Sequence, residues 1–82
     1  MEPSIAFGQV LRSLRREAGL SQEQLALTAE VERNYVSLIE RGVNQPSIRV
    51  LYKLADALCI PASQMLVLVE RKMREASDAE RT

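Results

Sequence analysis

Apolar residues recur at helical spacing through the first part of the chain. Between residues 5 and 18 they lie three or four positions apart, which is the stripe of an amphipathic helix; they are Phe7, Val10, Leu11, Leu14 and Ala18. Gly19 follows this stripe, and glycine is the common residue at the end of a helix. The pattern therefore predicts a first helix over residues 5–18.

The apolar positions between residues 22 and 41 do not fit one continuous helix. Leu25 and Ala29 lie four apart on one face, whereas Val36 and Ile39 lie three apart on another. A bend near Val31 would let both pairs face the same core. The stretch 22–41 is therefore interpreted as two short helices joined by a turn, a helix-turn-helix. The preceding segment Ser21–Gln24 has the form of a capping box and predicts where the first of the pair begins.

The C-terminal half carries two further helical patterns. Ser47 is a candidate N-cap for a fourth helix ending near Leu58, and Pro61 suits the first turn of a fifth helix over about 61–77. The run from Met65 to Val69 is apolar on every side, although a helix lying on one core needs only a stripe. We therefore expect the chain to form a homodimer through this helix. The expected interface includes Met65, Leu66, Leu68, Val69 and Met73.

Composition supports one small all-α domain spanning residues 1–82. Hydrophobic residues make up 46% of the chain but aromatic residues only 4%, so the core should be aliphatic. The single cysteine, Cys59, lies among apolar residues and is expected to be a buried structural thiol. No signal peptide and no apolar run of about 20 residues is visible. We expect a soluble cytoplasmic protein that does not enter a membrane.

The sequence offers no constellation typical of an enzyme. It has no histidine, no metal-ligand spacing and no glycine-rich phosphate loop. The chain is expected to be no enzyme and to need no cofactor, metal or small-molecule ligand. The 11 basic and 11 acidic residues balance, which argues mildly against DNA as a partner, although a basic face can coexist with an acidic back.

Two motifs identify a family. Residues 19–26, GLSQEQLA, and residues 33–47, RNYVSLIERGVNQPS, resemble the Cro/repressor-type (XRE-like) helix-turn-helix family over roughly residues 5–66. The resemblance implies a compact five-helix, lambda-repressor-like domain that binds a double-stranded DNA operator as a dimer. Restriction–modification controller proteins are the most similar branch, because residues 33–37 and the short C-terminal helix resemble theirs.

The second helix of the pair, expected from about residue 32 or 33 to 41, is the recognition helix implied by the resemblance. The motif context assigns a DNA-binding role to residues near its start and in the loop that follows it. Arg33 can bind guanine through two hydrogen bonds, Asn34 can read adenine, and Ser37 is short enough for close approach. The full set of expected DNA-binding residues is Gln22, Arg33, Asn34, Tyr35, Ser37, Arg41, Asn44, Gln45 and Ser47. The resemblance also implies a structural ion pair between Arg15 and Glu40.

Glu30 and Glu32 depart from the family pattern. Many members have glycine at the first position and serine or threonine at the second, so both glutamates put negative charge near the expected DNA surface. Together with the zero net charge, they keep open the alternative of a helical interaction module that has lost DNA binding. An antitoxin that represses its own toxin–antitoxin operon is a second alternative, because antitoxins of this kind use the same DNA-binding module. RNA polymerase is a further candidate partner, and the sequence leaves activation and repression open.

Overall fold

The structure, a computed structural model, describes residues 1–81. Within them the chain forms five helices and no strand, which confirms the predicted all-α fold. The helices are α1 (Pro3–Glu17), α2 (Gln22–Ala29), α3 (Arg33–Glu40), α4 (Ile48–Ala57) and α5 (Ala62–Arg81). The C-terminal helix runs four residues past its expected end near residue 77. Thr82, the last residue of the expected domain, lies outside the described residues.

Local sequence determines where α2 and α3 begin and end. The capping box at the start of α2 has both of its hydrogen bonds. The backbone N–H of Gln24 donates to Ser21 Oγ (3.0 Å), and the backbone N–H of Ser21 donates to Gln24 Oε1 (2.8 Å). The helix ends at Ala29, and its C-cap Glu30 has a φ of 57°, in the left-handed region that glycine usually occupies. The Val31 amide then donates to the Ala26 carbonyl at 2.9 Å, which closes the turn before α3.

The core is aliphatic, as the composition predicted. Its largest fully buried side chains come from all five helices and are Leu11, Leu25, Val36, Ile39, Leu54 and Met65. Helix α1 packs against both α3 and α5, and α2 packs against α3 and α4. The recognition helix α3 is therefore held between α1 and α2. Its opposite side, which carries Arg33 and Asn34, is exposed.

The structure corrects the expected dimer interface on α5. Met65 and Val69 are 0% and 4% exposed, because they belong to the core of their own subunit and cannot contact a partner directly. Leu68 and Met73 are partly buried against the same core. Leu66 (45% exposed) and Val67 (43%) are the large apolar residues of α5 that are exposed.

Cys59 is also placed differently from the prediction. It is exposed, with φ of 59°, at the turn between α4 and α5, rather than buried. No single helix within residues 1–81 has both the length and the hydropathy to cross a membrane. Only the pair Ile48–Ala57 and Ala62–Glu80, which is bent by 101°, reaches that length and hydropathy when it is taken together.

Candidate nucleic-acid interface

A buried ion pair lies beneath the recognition helix. Arg15 Nε and Nη2 donate to the two carboxylate oxygens of Glu40 at 2.7 and 3.0 Å, and Arg15 Nη1 donates to the Leu20 carbonyl at 2.9 Å. The Arg15 and Glu40 side chains are 11% and 2% exposed. The hydrogen bonds to Glu40 raise the pKa of the Arg15 guanidinium, although burial opposes them. The pair fixes the end of α3 to α1, and the bond to Leu20 adds the loop before α2.

Gln22 connects this pair to the protein surface. Its amide nitrogen donates to Glu40 Oε1 at 3.1 Å, and the side chain is half-buried at the first position of α2. A glutamine amide carries two hydrogens, so one remains for an acceptor outside the protein. The first turn of α2 also has backbone N–H groups without partners inside the helix. A DNA phosphate is an acceptor that suits this position.

The expected base-reading residues lie together. Arg33 and Asn34 are exposed at the start of α3, and Ser37 is half-buried one turn further on. With Gln22 these three residues line a surface cleft of about 350 Å³. Arg41 is exposed immediately after α3, so it lies at the opposite end of the helix from Arg33. The cleft therefore brings several hydrogen-bond donors together on one exposed surface, as contact with a groove of DNA requires.

Tyr35 is engaged inside the protein. Its ring is half-buried, and its hydroxyl donates to the carbonyl oxygen of Gln45 at 3.2 Å. The residue therefore joins the recognition helix to the loop after it. The hydroxyl oxygen can still accept a hydrogen bond, but its hydrogen is not directed to a phosphate in this structure.

The loop between α3 and α4 contains the other three expected contacts. Asn44 is half-buried, with its backbone N–H donating to the Leu38 carbonyl at 3.3 Å, whereas Gln45 is exposed. Ser47 is exposed and caps α4, since its Oγ accepts from the Val50 amide at 3.2 Å. The Ser47 hydroxyl hydrogen remains available to a phosphate oxygen.

A glycine within α1 positions the recognition helix and was not singled out from the sequence. A Cβ at Gly8 would lie 2.4 Å from the Ile39 carbonyl oxygen and 2.7 Å from that of Glu40. Only glycine allows α1 and α3 to approach this closely. The sequence carried a weak signal, because an isolated glycine inside a helical pattern costs about 1 kcal/mol relative to alanine.

The described part of the chain has no group of three or more cysteine, aspartate and glutamate side chains that could hold a metal ion. The surface around α3 carries the guanidinium groups of Arg33 and Arg41, and the turn before α3 carries the carboxylates of Glu30 and Glu32.

Comparison with known proteins identifies the class of protein that this fold and surface define. A family model described as helix-turn-helix (HTH_3) matches residues 11–63, which are more than half of the chain. The chain belongs to this helix-turn-helix family, whose members include DNA-binding transcription regulators. The sequence-based recognition of a Cro/repressor-type helix-turn-helix protein is confirmed.

Three solved structures show how far the similarity extends. The clp gene regulator ClgR from Corynebacterium glutamicum has a TM-score of 0.93 and 27% identity, covering 99% of this chain and 86% of that one. The restriction–modification controller protein C.AhdI from Aeromonas hydrophila has a TM-score of 0.74 and 44% identity, covering 76% and 94%. SinR, a master regulator for biofilm formation solved in complex with DNA, has a TM-score of 0.70 and 36% identity, covering 73% and 97%.

Several curated relatives are longer than the region they share with this chain. Three HTH-type transcriptional regulators, one from Sinorhizobium fredii and two from Mycobacterium tuberculosis, are 40–41% identical to it. The matched region spans 66%, 43% and 43% of their lengths. The similarity to these three proteins therefore concerns the helix-turn-helix region.

Proposed function

We propose that this chain is a sequence-specific transcriptional regulator that binds a pseudo-palindromic operator as a homodimer. The observation that carries the proposal is the cleft in which Gln22 of α2 meets Arg33, Asn34 and Ser37 of α3. In helix-turn-helix proteins the second helix enters the major groove with its N-terminal residues at the base edges. Arg33 is the residue of this cleft that can bind guanine O6 and N7 together.

The remaining expected contacts are assigned to the DNA backbone. Gln22 and the first turn of α2 would bind a phosphate on one side of the groove, and Asn44, Gln45 and Ser47 would bind phosphates on the other side. Such contacts position the protein without reading sequence. Arg41 and Tyr35 complete the expected surface; the bond from Tyr35 to the Gln45 carbonyl supports a role for Tyr35 in holding the loop against the DNA.

A restriction–modification controller is the particular role that we propose. Its support is the 44% identity to C.AhdI, of which the matched region covers 94%. In this role residues 1–82 act as one domain in the cytoplasm, and the amount of protein sets the response without a small-molecule ligand. RNA polymerase is the expected further partner at the promoter. Restriction and modification genes beside the gene for this chain would support the role, and clp genes under its operator would contradict it.

The Arg33→Ala variant tests the proposed base reading. We expect it to lose about 5- to 150-fold in affinity for the operator selected by the wild-type chain from a random duplex library. Its affinity for unrelated DNA should fall much less. The Arg33 side chain is exposed and makes no hydrogen bond or ion pair with the described side chains of residues 1–80, so thermal unfolding should not change. Arg74→Ala, which removes an exposed arginine from α5, is the matched control. Equal operator affinity of Arg33→Ala and wild type would refute the assignment.

The Leu66→Glu variant tests the dimer. If Leu66 is buried between two α5 helices, an uncompensated charge there should weaken dimerisation by about 100-fold or more. Sedimentation equilibrium measures this change, and operator binding should weaken with it. Ile48→Glu is the control, because Ile48 is an even more exposed apolar residue (71%) but lies on α4. Dissociation caused by Ile48→Glu and not by Leu66→Glu would move the interface to α4.

A further inference from the structure

Glu32 occupies the N-cap of the recognition helix but does not cap it. Its backbone is extended (φ −74°, ψ 140°), and its side chain makes no hydrogen bond to the helix that it begins. The side chain is exposed, and it has no ion-pair partner among the described side chains of residues 1–80. The carboxylate is therefore a free acceptor, adjacent in sequence to Arg33.

The N-caps of three other helices behave differently. Ser21 and Ser47 accept hydrogen bonds from backbone amides of α2 and α4. Glu2 does the same for α1, where its carboxylate accepts from the Ser4 amide at 2.8 Å. Glu2 shows that a glutamate in this chain can serve as a cap. Chemistry therefore does not prevent Glu32 from capping α3, and its carboxylate is left available at the surface that would face DNA.

A free carboxylate at this place is repelled by phosphates, so it can favour binding only through a donor on a base. Cytosine presents the N4 amino group in the major groove, and glutamate is one of the side chains that accept from it. Adenine also presents an amino group, but its N7 acceptor lies beside that group and would repel a carboxylate. Guanine and thymine place the acceptors O6 and O4 at the corresponding edge, which also oppose the charge.

We propose that Glu32 is a specificity-determining residue that accepts a hydrogen bond from cytosine N4 in each half-site of the operator. This inference rests on the proposed DNA-binding function. It gives the departure from serine or threonine at this position a role in recognition rather than a loss of DNA binding. The same charge lowers affinity for unrelated DNA, where no cytosine amino group meets it, and so increases the ratio of specific to non-specific binding.

The test compares sequence selection from a random duplex library by the full chain and three variants. The wild type should select a two-fold motif with cytosine at one position of each half-site. Glu32→Ala should lose that preference by about 5- to 150-fold and keep the other positions. Glu32→Gln should prefer adenine there, since glutamine binds adenine N6 and N7 together. Glu30→Ala removes the same charge from the turn and should keep the cytosine.

The outcomes separate the inference from the function on which it rests. Retention of every preferred base by Glu32→Ala would overturn the role of Glu32 and leave the proposed function intact. Loss of the cytosine preference in both Glu32→Ala and Glu30→Ala would also overturn it, because the preference would then depend on the negative charge of the turn and not on Glu32. If the wild type selected no motif at all, the proposed function would fail, and the inference with it. Thermal unfolding of each variant verifies that the fold is retained.

Discussion

Replacing Glu40 with alanine is expected to destabilise the protein by about 3–5 kcal/mol, because it leaves the Arg15 guanidinium buried without its partner. Stabilities of about 0.05–0.15 kcal/mol per residue give roughly 4–12 kcal/mol for 82 residues, so the variant should be largely unfolded if the chain lies at the low end. Urea denaturation followed by circular dichroism measures the change. Glu40 also holds Gln22, so any folded fraction should bind DNA more weakly.

Two further variants show whether the unpaired charge of Arg15 causes the destabilisation expected for Glu40→Ala. Glu70→Ala removes an exposed glutamate from α5 and should change the free energy of unfolding by less than about 0.5 kcal/mol. The double variant Arg15→Met/Glu40→Leu removes both charges and should regain most of the loss, since apolar replacement of a buried ion pair is often neutral or stabilising. A cost below about 1 kcal/mol for Glu40→Ala would mean that water or another residue satisfies Arg15.

The ion pair also illustrates what the sequence could predict. The pairing of Arg15 with Glu40 was inferred from family resemblance alone, because the two residues lie 25 positions apart and no local pattern relates them. The structure shows the contact and adds Gln22 and the Leu20 carbonyl to it. Those additions depend on how α1, α2 and the loop before α2 pack together. Sequence periodicity carries no information about that packing.

The fifth helix shows a different limit. Residues 65–69 are apolar on every side, so spacing alone gives several possible stripes and does not say which one faces α1. Packing selects Met65 and Val69, which lie four residues apart, and leaves Leu66 and Val67 outside. By contrast, the break between α2 and α3 was predictable, because a change of apolar face and a capping box are both local signals. The orientation of Arg33 and Asn34 away from the core followed from the same change of face.

Gly8→Ala is expected to destabilise the protein by about 1–3 kcal/mol. In a helix without tertiary contacts this substitution would favour folding by about 1 kcal/mol. Here the new Cβ would meet two backbone carbonyl oxygens of α3, at 2.4 and 2.7 Å, and backbone atoms cannot yield as the end of a flexible side chain can. Overpacking of this kind typically costs 1–3 kcal/mol and sometimes more. The sign of the effect is therefore opposite to the one that helix propensity predicts.

Gly19→Ala provides the same chemical change without the contact. Gly19 has φ of +72° and open space around its Cβ position, so its cost should be about 1–2 kcal/mol and come from the left-handed backbone alone. Chemical denaturation of both variants measures the two costs. A neutral or stabilising Gly8→Ala would show that α3 can move away from α1. In that case the Arg15–Glu40 pair would lengthen and Arg33 would be displaced, so sequence preference would fall even in a stable protein.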